Sequence, residues 1–105
     1  MDNGFRRSEV YDTGDIAAYI WEVEPGCCTP EIKHTRGTKE LIPLTPELQH
    51  SLWKGEDDEL YEQLMIRTKE IEHNEDWQVE NHDTVFNFVF LEVWRGKHDK
   101  EVLIV

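Results

Sequence analysis

The segment TVFNFVFLEVWR, Thr84 to Arg95, constrains the fold most. Phe86, Phe88, Phe90 and Trp94 alternate with Val85, Val89, Leu91 and Val93. Period-two alternation predicts a strand, and apolar side chains on both faces predict a central strand covered twice. The rest of the chain must supply those two covers.

Other elements follow from local chemistry. DIAAYIWEVE, Asp15 to Glu24, reads as a strand stopped by Pro25-Gly26. Glu31 to Thr35 and Thr38 to Ile42 read as a short hairpin around Arg36-Gly37, or else as a long loop. Trp77 to Glu80 reads as a short strand, and Glu101 to Val105 as a last strand returning antiparallel after a tight Gly96 to Asp99 loop.

Two helices are expected mid-chain. Thr45-Pro46-Glu47 combines an N-cap, a proline at the first helical position and an acid at the positive dipole end. Leu48, Leu52 and Trp53 then form a stripe that Gly55 ends. A second helix from about Asp57 to His73 places Leu60, Leu64, Thr68 and Ile71 on one side. The expected fold class is α+β: an antiparallel sheet of about three to five strands, with the two inserted helices packed on one face. Residues 1–14 are expected as a tail or first loop, and 15–105 as a single α+β domain.

Composition narrows the class. At 105 residues with four Trp, four Phe and three Tyr, the chain can bury one core despite a net charge of −12. No apolar run reaches the ~18 residues of a membrane span. The expected place is therefore a cytoplasm, a host's if the chain is phage-encoded. The adjacent Cys27 and Cys28 lack disulfide geometry and CxxC spacing. An acidic chain is poorly suited to contact nucleic acid or anionic membrane directly; it suits a basic protein partner.

The charge is concentrated. Glu56 to Asp83 holds eleven of the twenty-three carboxylates, with only Arg67 and Lys69 against them. On the second expected helix, Ile66 sits inside the charged side. Glu59, Glu62, Ile66, Glu70 and His73, with Glu75 and Asp76 beyond, then have the form of a small apolar contact with an acidic rim. The leading expectation is a small non-enzymatic binding protein without a cofactor. It would dock this face on a basic surface, as a nucleic-acid-mimicking inhibitor of the phage anti-defence or immunity type.

Two alternatives stand beside it. One is a metal- or small-ligand-binding domain, enzymatic or not, built on His34, His50, His73 and His82, with a divalent transition metal as cofactor. Glu47/His50 and Glu70/His73 both have Glu-x-x-His spacing, and His82 with Asp83 adds donors nearby. The other is a structural homodimer completed on the two-faced strand.

Cys27 or Cys28 with His34 would make a nucleophile–base pair, but nothing nearby lowers a thiol pKa. The run His34-Thr35-Arg36-Gly37-Thr38-Lys39-Glu40 resembles the His-x-His-x-x-x-Glu metal motif of cupins, with Arg36 in place of the second histidine. That missing ligand and the expected helical middle both count against the relationship, so no family is assigned.

Overall fold

The structure is a computed structural model and describes residues 1–44, 51–54, 61–63, 69–98 and 101–104. Ten strands make up the regular structure of those residues. They are β1 (Phe5–Asp12), β2 (Ile16–Val23), β3 (Glu31–His34), β4 (Thr38–Pro43), β5 (Ser51–Lys54), β6 (Tyr61–Gln63), β7 (Lys69–Ile71), β8 (Asp76–Asn81), β9 (Phe88–Arg95) and β10 (Glu101–Ile104). They form two five-stranded antiparallel sheets, ordered β1-β2-β9-β4-β7 and β10-β3-β8-β5-β6.

The α+β expectation is thereby corrected. Tyr61–Gln63 and Lys69–Ile71 lie inside the expected second helix and are strands. Ser51–Lys54, at the end of the expected first helix, is a strand as well. The reason is strand pairing: Lys39 to Leu41 bind Ile71 to Lys69, Ser51 to Lys54 bind Asn81 to Gln78, and Tyr61 to Gln63 bind back on Lys54 to Leu52. The proposed helix start at Thr45 lies outside the described residues. Among the described residues, no helix is long and apolar enough to cross a membrane.

Three further expectations change. Residues 5–12 belong to β1, paired along β2 from Phe5↔Val23 to Asp12↔Ala17. β3 and β4 do not form a hairpin; the chain crosses between sheets at residues 35–37, so β3 joins β10 and β8 while β4 joins β9 and β7. β10 pairs with β3 and not with β9.

The two-faced strand is central, as its pattern requires. β9 begins at Phe88 and lies between β2 and β4. Phe86 precedes it in a loop and is exposed. There the Asp83 carboxylate accepts from the backbone N–H groups of Val85 and Phe86, which turns the chain.

Side chains of the first sheet align in rows across the strands. Phe5, Val23 and Phe88 make one inner row. The next is Arg7–Trp21–Phe90–Pro43, then Tyr19–Glu92–Leu41, then Ala17–Trp94–Lys39–Ile71. Ile32, Trp77 and Val79 of the second sheet join the buried core. Trp21 stacks on Phe90 at 5.9 Å between ring centroids and meets Trp77 edge-on. The interior is therefore banded: apolar at the first row, charged from the second row onward. Asn81 secures the apolar end by donating to the carbonyls of Val23 and Phe86.

Candidate functional site

Strand alternation carries charge into the barrel at four places. Arg7 lies two residues beyond inward Phe5. Lys39 lies two before inward Leu41, and Glu92 falls between Phe90 and Trp94. Glu101 begins β10, opposite His34. Lys39 and Glu92 have no exposed surface, whereas the Arg7 and Glu101 side chains keep 24% and 15%. The cluster is thus deep at one side and meets solvent at the other.

The four charges form one network. Lys39 Nζ lies 2.7 Å from Glu92 Oε2 and also contacts Glu101. The Arg7 guanidinium donates to both carboxylates: Nε to Glu92 at 3.1 Å and Nη1 to Glu101 at 2.9 Å. Trp21 Nε1 donates to Glu92 at 2.6 Å. Two cations and two anions cancel. Aromatic rings frame the network, with Arg7 3.7 Å above the Tyr19 ring and Lys39 Nζ 4.3 Å from the Trp94 ring. His98 stacks on the other side of this end, 4.5 Å from Trp94.

Among the described residues, two buried atoms beside the network have no hydrogen-bond partner: His34 Nδ1 and Trp77 Nε1. His34 Nε2 is 2.9 Å from the Gly37 carbonyl and donates to it, which leaves Nδ1 as a bare acceptor in the neutral ring. Buried polar atoms are nearly always hydrogen-bonded, so these two stand out.

Titration follows from these surroundings. Burial, then the Lys39 charge, hold the His34 imidazole below its ordinary 6.5. Burial alone would raise the Glu92 carboxyl, but Lys39 and Arg7 outweigh it and hold the group below its ordinary 4.5. Burial opposes the Arg7 charge, yet Glu92 and Glu101 raise its pKa.

Both His34 and Glu92 bind a proton less readily folded than unfolded, so stability rises with pH through each window. On acidification the loss starts below 6.5, as unfolded imidazole takes up a proton, and resumes below 4.5 with Glu92. The urea midpoint is expected to fall from pH 7 to pH 5 and again below pH 4.5. His34→Gln should flatten only the upper window, and an unchanged upper slope in that variant would show that His34 does not carry it.

The described residues among those singled out from sequence lie on separate elements. Glu62 and Glu70 lie on β6 and β7, in different sheets. Glu70 and His73 are exposed; Glu75 accepts from the Glu72 N–H at 3.3 Å, and Asp76 lies 3.4 Å from Lys33 Nζ. His82, exposed, pairs with Glu80 at 2.7 Å. Glu47, His50, Glu59 and Ile66 lie outside the described residues. The acidic helix face is overturned because its helix is absent where the chain is described, and the docking inhibitor built on it goes with it. His34 is buried in the barrel while Cys28 is exposed beside Gln78 and Cys27 packs against the hydrophobic core.

A divalent metal does not fit the described residues. Among them, no group of three His, Cys, Asp or Glu side chains is arranged to hold one. Within the barrel the place between Glu92 and Glu101 is taken by the Lys39 ammonium. Of the three positions that answer to the motif's ligands, His34, Arg36 and Glu40, only His34 points inward. Arg36 is exposed, and Glu40 pairs outside with Arg95 Nε at 3.0 Å.

A second feature lies elsewhere. A cleft of about 580 Å³ opens between Asn3 and Phe5 on one side and Cys28 to Glu31 with Gln78 on the other.

The network was missed because each member reads as surface charge when taken alone. One signal was available: Glu92 interrupts the inward series Phe88, Phe90, Trp94.

Neither a family model nor a curated protein matches the chain by sequence. Solved structures do resemble it. An uncharacterised conserved protein with a double-stranded β-helix domain from Klebsiella pneumoniae is 15% identical with a TM-score of 0.82, over 100% of this chain and 88% of that one. A cupin 2 domain-containing protein from Halorhodospira halophila is 18% identical with a TM-score of 0.77, over 100% and 73%. Oxalate oxidase in complex with the substrate analogue glycolate is 13% identical with a TM-score of 0.77; this chain is covered over 99% but spans 57% of that one. The strands at 51–54, 61–63 and 69–71 weaken one objection to the cupin resemblance, while the absent second histidine stands. At these identities the likeness concerns architecture alone: the chain adopts the double-stranded β-helix fold of cupins.

Proposed function

We propose that this chain is a small-molecule-binding domain whose ligand is met at the charged end of the barrel by Arg7, Lys39 and Glu101. The observation that carries the reading is the four-charge network inside a barrel whose other end is apolar. Buried ion pairs return little net stability, and apolar side chains of similar volume often serve a fold as well or better. Buried, strongly coupled charges are instead concentrated where proteins bind or react. The partnerless His34 Nδ1 and Trp77 Nε1 beside the same lysine support it further. The glycolate named with oxalate oxidase belongs to that protein; it supports here only that this fold can carry a small-molecule site.

A second reading rests on the cleft between Phe5 and Pro30, whose volume falls within the range of small-ligand sites. One experiment separates the two. A panel of small polar molecules is titrated while tryptophan fluorescence is followed, since Trp77 and Trp94 frame Lys39. A ligand of the barrel site should bind saturably. It should weaken about tenfold or more in Arg7→Lys, which keeps the charge but loses the bidentate fork, and should be indifferent to Gln78→Ala. The opposite pattern moves the site to the cleft, and equal binding to all three proteins sinks both readings.

A further inference from the structure

The charge count at the barrel site gives the class of its ligand. Arg7, Lys39 and Glu92 sum to one positive charge, two cations against one anion, and Glu101 supplies the single negative charge that cancels it. The two glutamates are not equivalent. Glu92 is enclosed and held by Trp21, Arg7 and Lys39 together. Glu101 reaches solvent, stands at the first residue of β10, and among the described residues its side-chain contacts go to Arg7 and Lys39.

We propose that the Glu101 carboxylate occupies the seat of a small monocarboxylate and exchanges with it. The inference rests on the reading of the barrel as a small-molecule site and adds the ligand's chemistry. With the Glu101 side chain turned out to solvent, Arg7 presents a planar fork and Lys39 a point charge to the vacated position. That pair matches one carboxylate group, bidentate on the guanidinium. A neutral ligand would leave one buried positive charge uncompensated, and a dianion would leave one negative; either is penalised in a sheltered site. The two buried atoms without partners, His34 Nδ1 and Trp77 Nε1, show that the side chains around Lys39 do not satisfy one another completely.

Sodium acetate is the probe, with acetamide and sodium chloride at matched ionic strength as controls. Wild type, Glu101→Ala and Lys39→Met/Glu101→Ala are compared by titration calorimetry and thermal midpoint. Acetate should bind Glu101→Ala with one-to-one stoichiometry and raise its midpoint saturably. It should bind wild type about tenfold more weakly or less, because there the competent state is only a fraction of the population. Acetamide and chloride should do neither. The double variant retains one cation and one anion and should not respond to acetate.

The proposal is overturned if acetate acts on Glu101→Ala no better than chloride, if it binds wild type equally well, or if the double variant responds undiminished. Should Glu101→Ala fail to fold in chloride, folding on addition of acetate supports the proposal. If acetate does not rescue it, Glu101→Gln is titrated in its place, and an absent acetate response there overturns it. A panel ligand lost in Arg7→Lys, together with acetate-blind Glu101 variants, would keep the small-molecule reading and remove the carboxylate.

Discussion

Lys39→Met is expected to lower stability by about 3–5 kcal/mol, the range found when one partner of a buried ion pair is removed. Methionine replaces the stem with little change in volume, so the loss is electrostatic and not a cavity effect. What remains is Glu92, fully enclosed, and Glu101, sharing only Arg7 between them. One negative charge is then uncompensated in the barrel. For a domain of this size the midpoint should drop by roughly 12 °C or more.

The second arm is the double variant Lys39→Met/Glu92→Gln. It removes one charge of each sign, leaves the Arg7–Glu101 pair, and keeps an acceptor for Trp21 Nε1. It should recover most of the loss and lie within about 1–2 kcal/mol of wild type. Chemical denaturation of both variants and of Glu92→Gln at pH 7 gives the coupling. If the single variant loses under 1 kcal/mol, or the double is no more stable than the single, Lys39 is not the sheltered cation described above; ~1 kcal/mol is what an exposed pair contributes.

That experiment also bears on how much could be read beforehand. Local alternation was legible. β2, β8 and β9 were all visible as strands, and β9 was identifiable as central because both of its faces are apolar. Ile71 was correctly read as a core side chain and is fully buried, but it was assigned to the wrong element. β6 and β7 are three residues each, too short to show a period of two against a window that also satisfies 3.6. Their strand state comes from pairing with other strands: with distant Lys39 to Leu41 for β7, and with nearby Leu52 to Lys54, itself paired to distant β8, for β6. Good capping chemistry around Thr45 and a run of acids after Gly55 made the helical reading locally consistent; at residues 51–54, 61–63 and 69–71 strand pairing overrides it.

The site was less legible for a related reason. Arg7, Lys39, Glu92 and Glu101 are spread over nearly the whole chain; the pairing Arg7↔Trp21↔Phe90, with Glu92 one row on and Lys39 beside Trp94, brings the first three together, and Glu101 comes from β10 of the other sheet. Attention to charge density favoured Glu56 to Asp83, where carboxylates are many. The informative charges were the isolated ones on apolar faces. His34 was named among the candidates, and its neighbours explain its burial: Ile32, two residues before it, also points inward.

Gly37→Ala is expected to damage both the fold and the site. Gly37 turns the chain from β3 to β4 with φ at +83°, in the left-handed region. A side chain there costs about 1–2 kcal/mol by itself. Space is also missing: a Cβ would sit 2.5 Å from the Arg95 carbonyl oxygen and 2.9 Å from Trp94 Nε1. The first of these is backbone in the central strand and cannot swing aside, so overpacking adds about 1–3 kcal/mol.

Gly14→Ala is the control. Its φ is +87°, yet nothing lies within 4 Å of the added methyl, so it carries the conformational loss alone. Gly37→Ala should therefore exceed Gly14→Ala by the overpacking contribution. It should also disturb the site, because Trp94 Nε1 donates to the Arg36 carbonyl at 2.7 Å and the Gly37 carbonyl accepts from His34. A shift of this turn moves the ring beneath Lys39, so tryptophan fluorescence should change in Gly37→Ala and not in Gly14→Ala. Equal losses in the two variants, with unaltered fluorescence, would mean that the turn at residues 35–37 is not packed against β9 and does not position the charged end of the barrel.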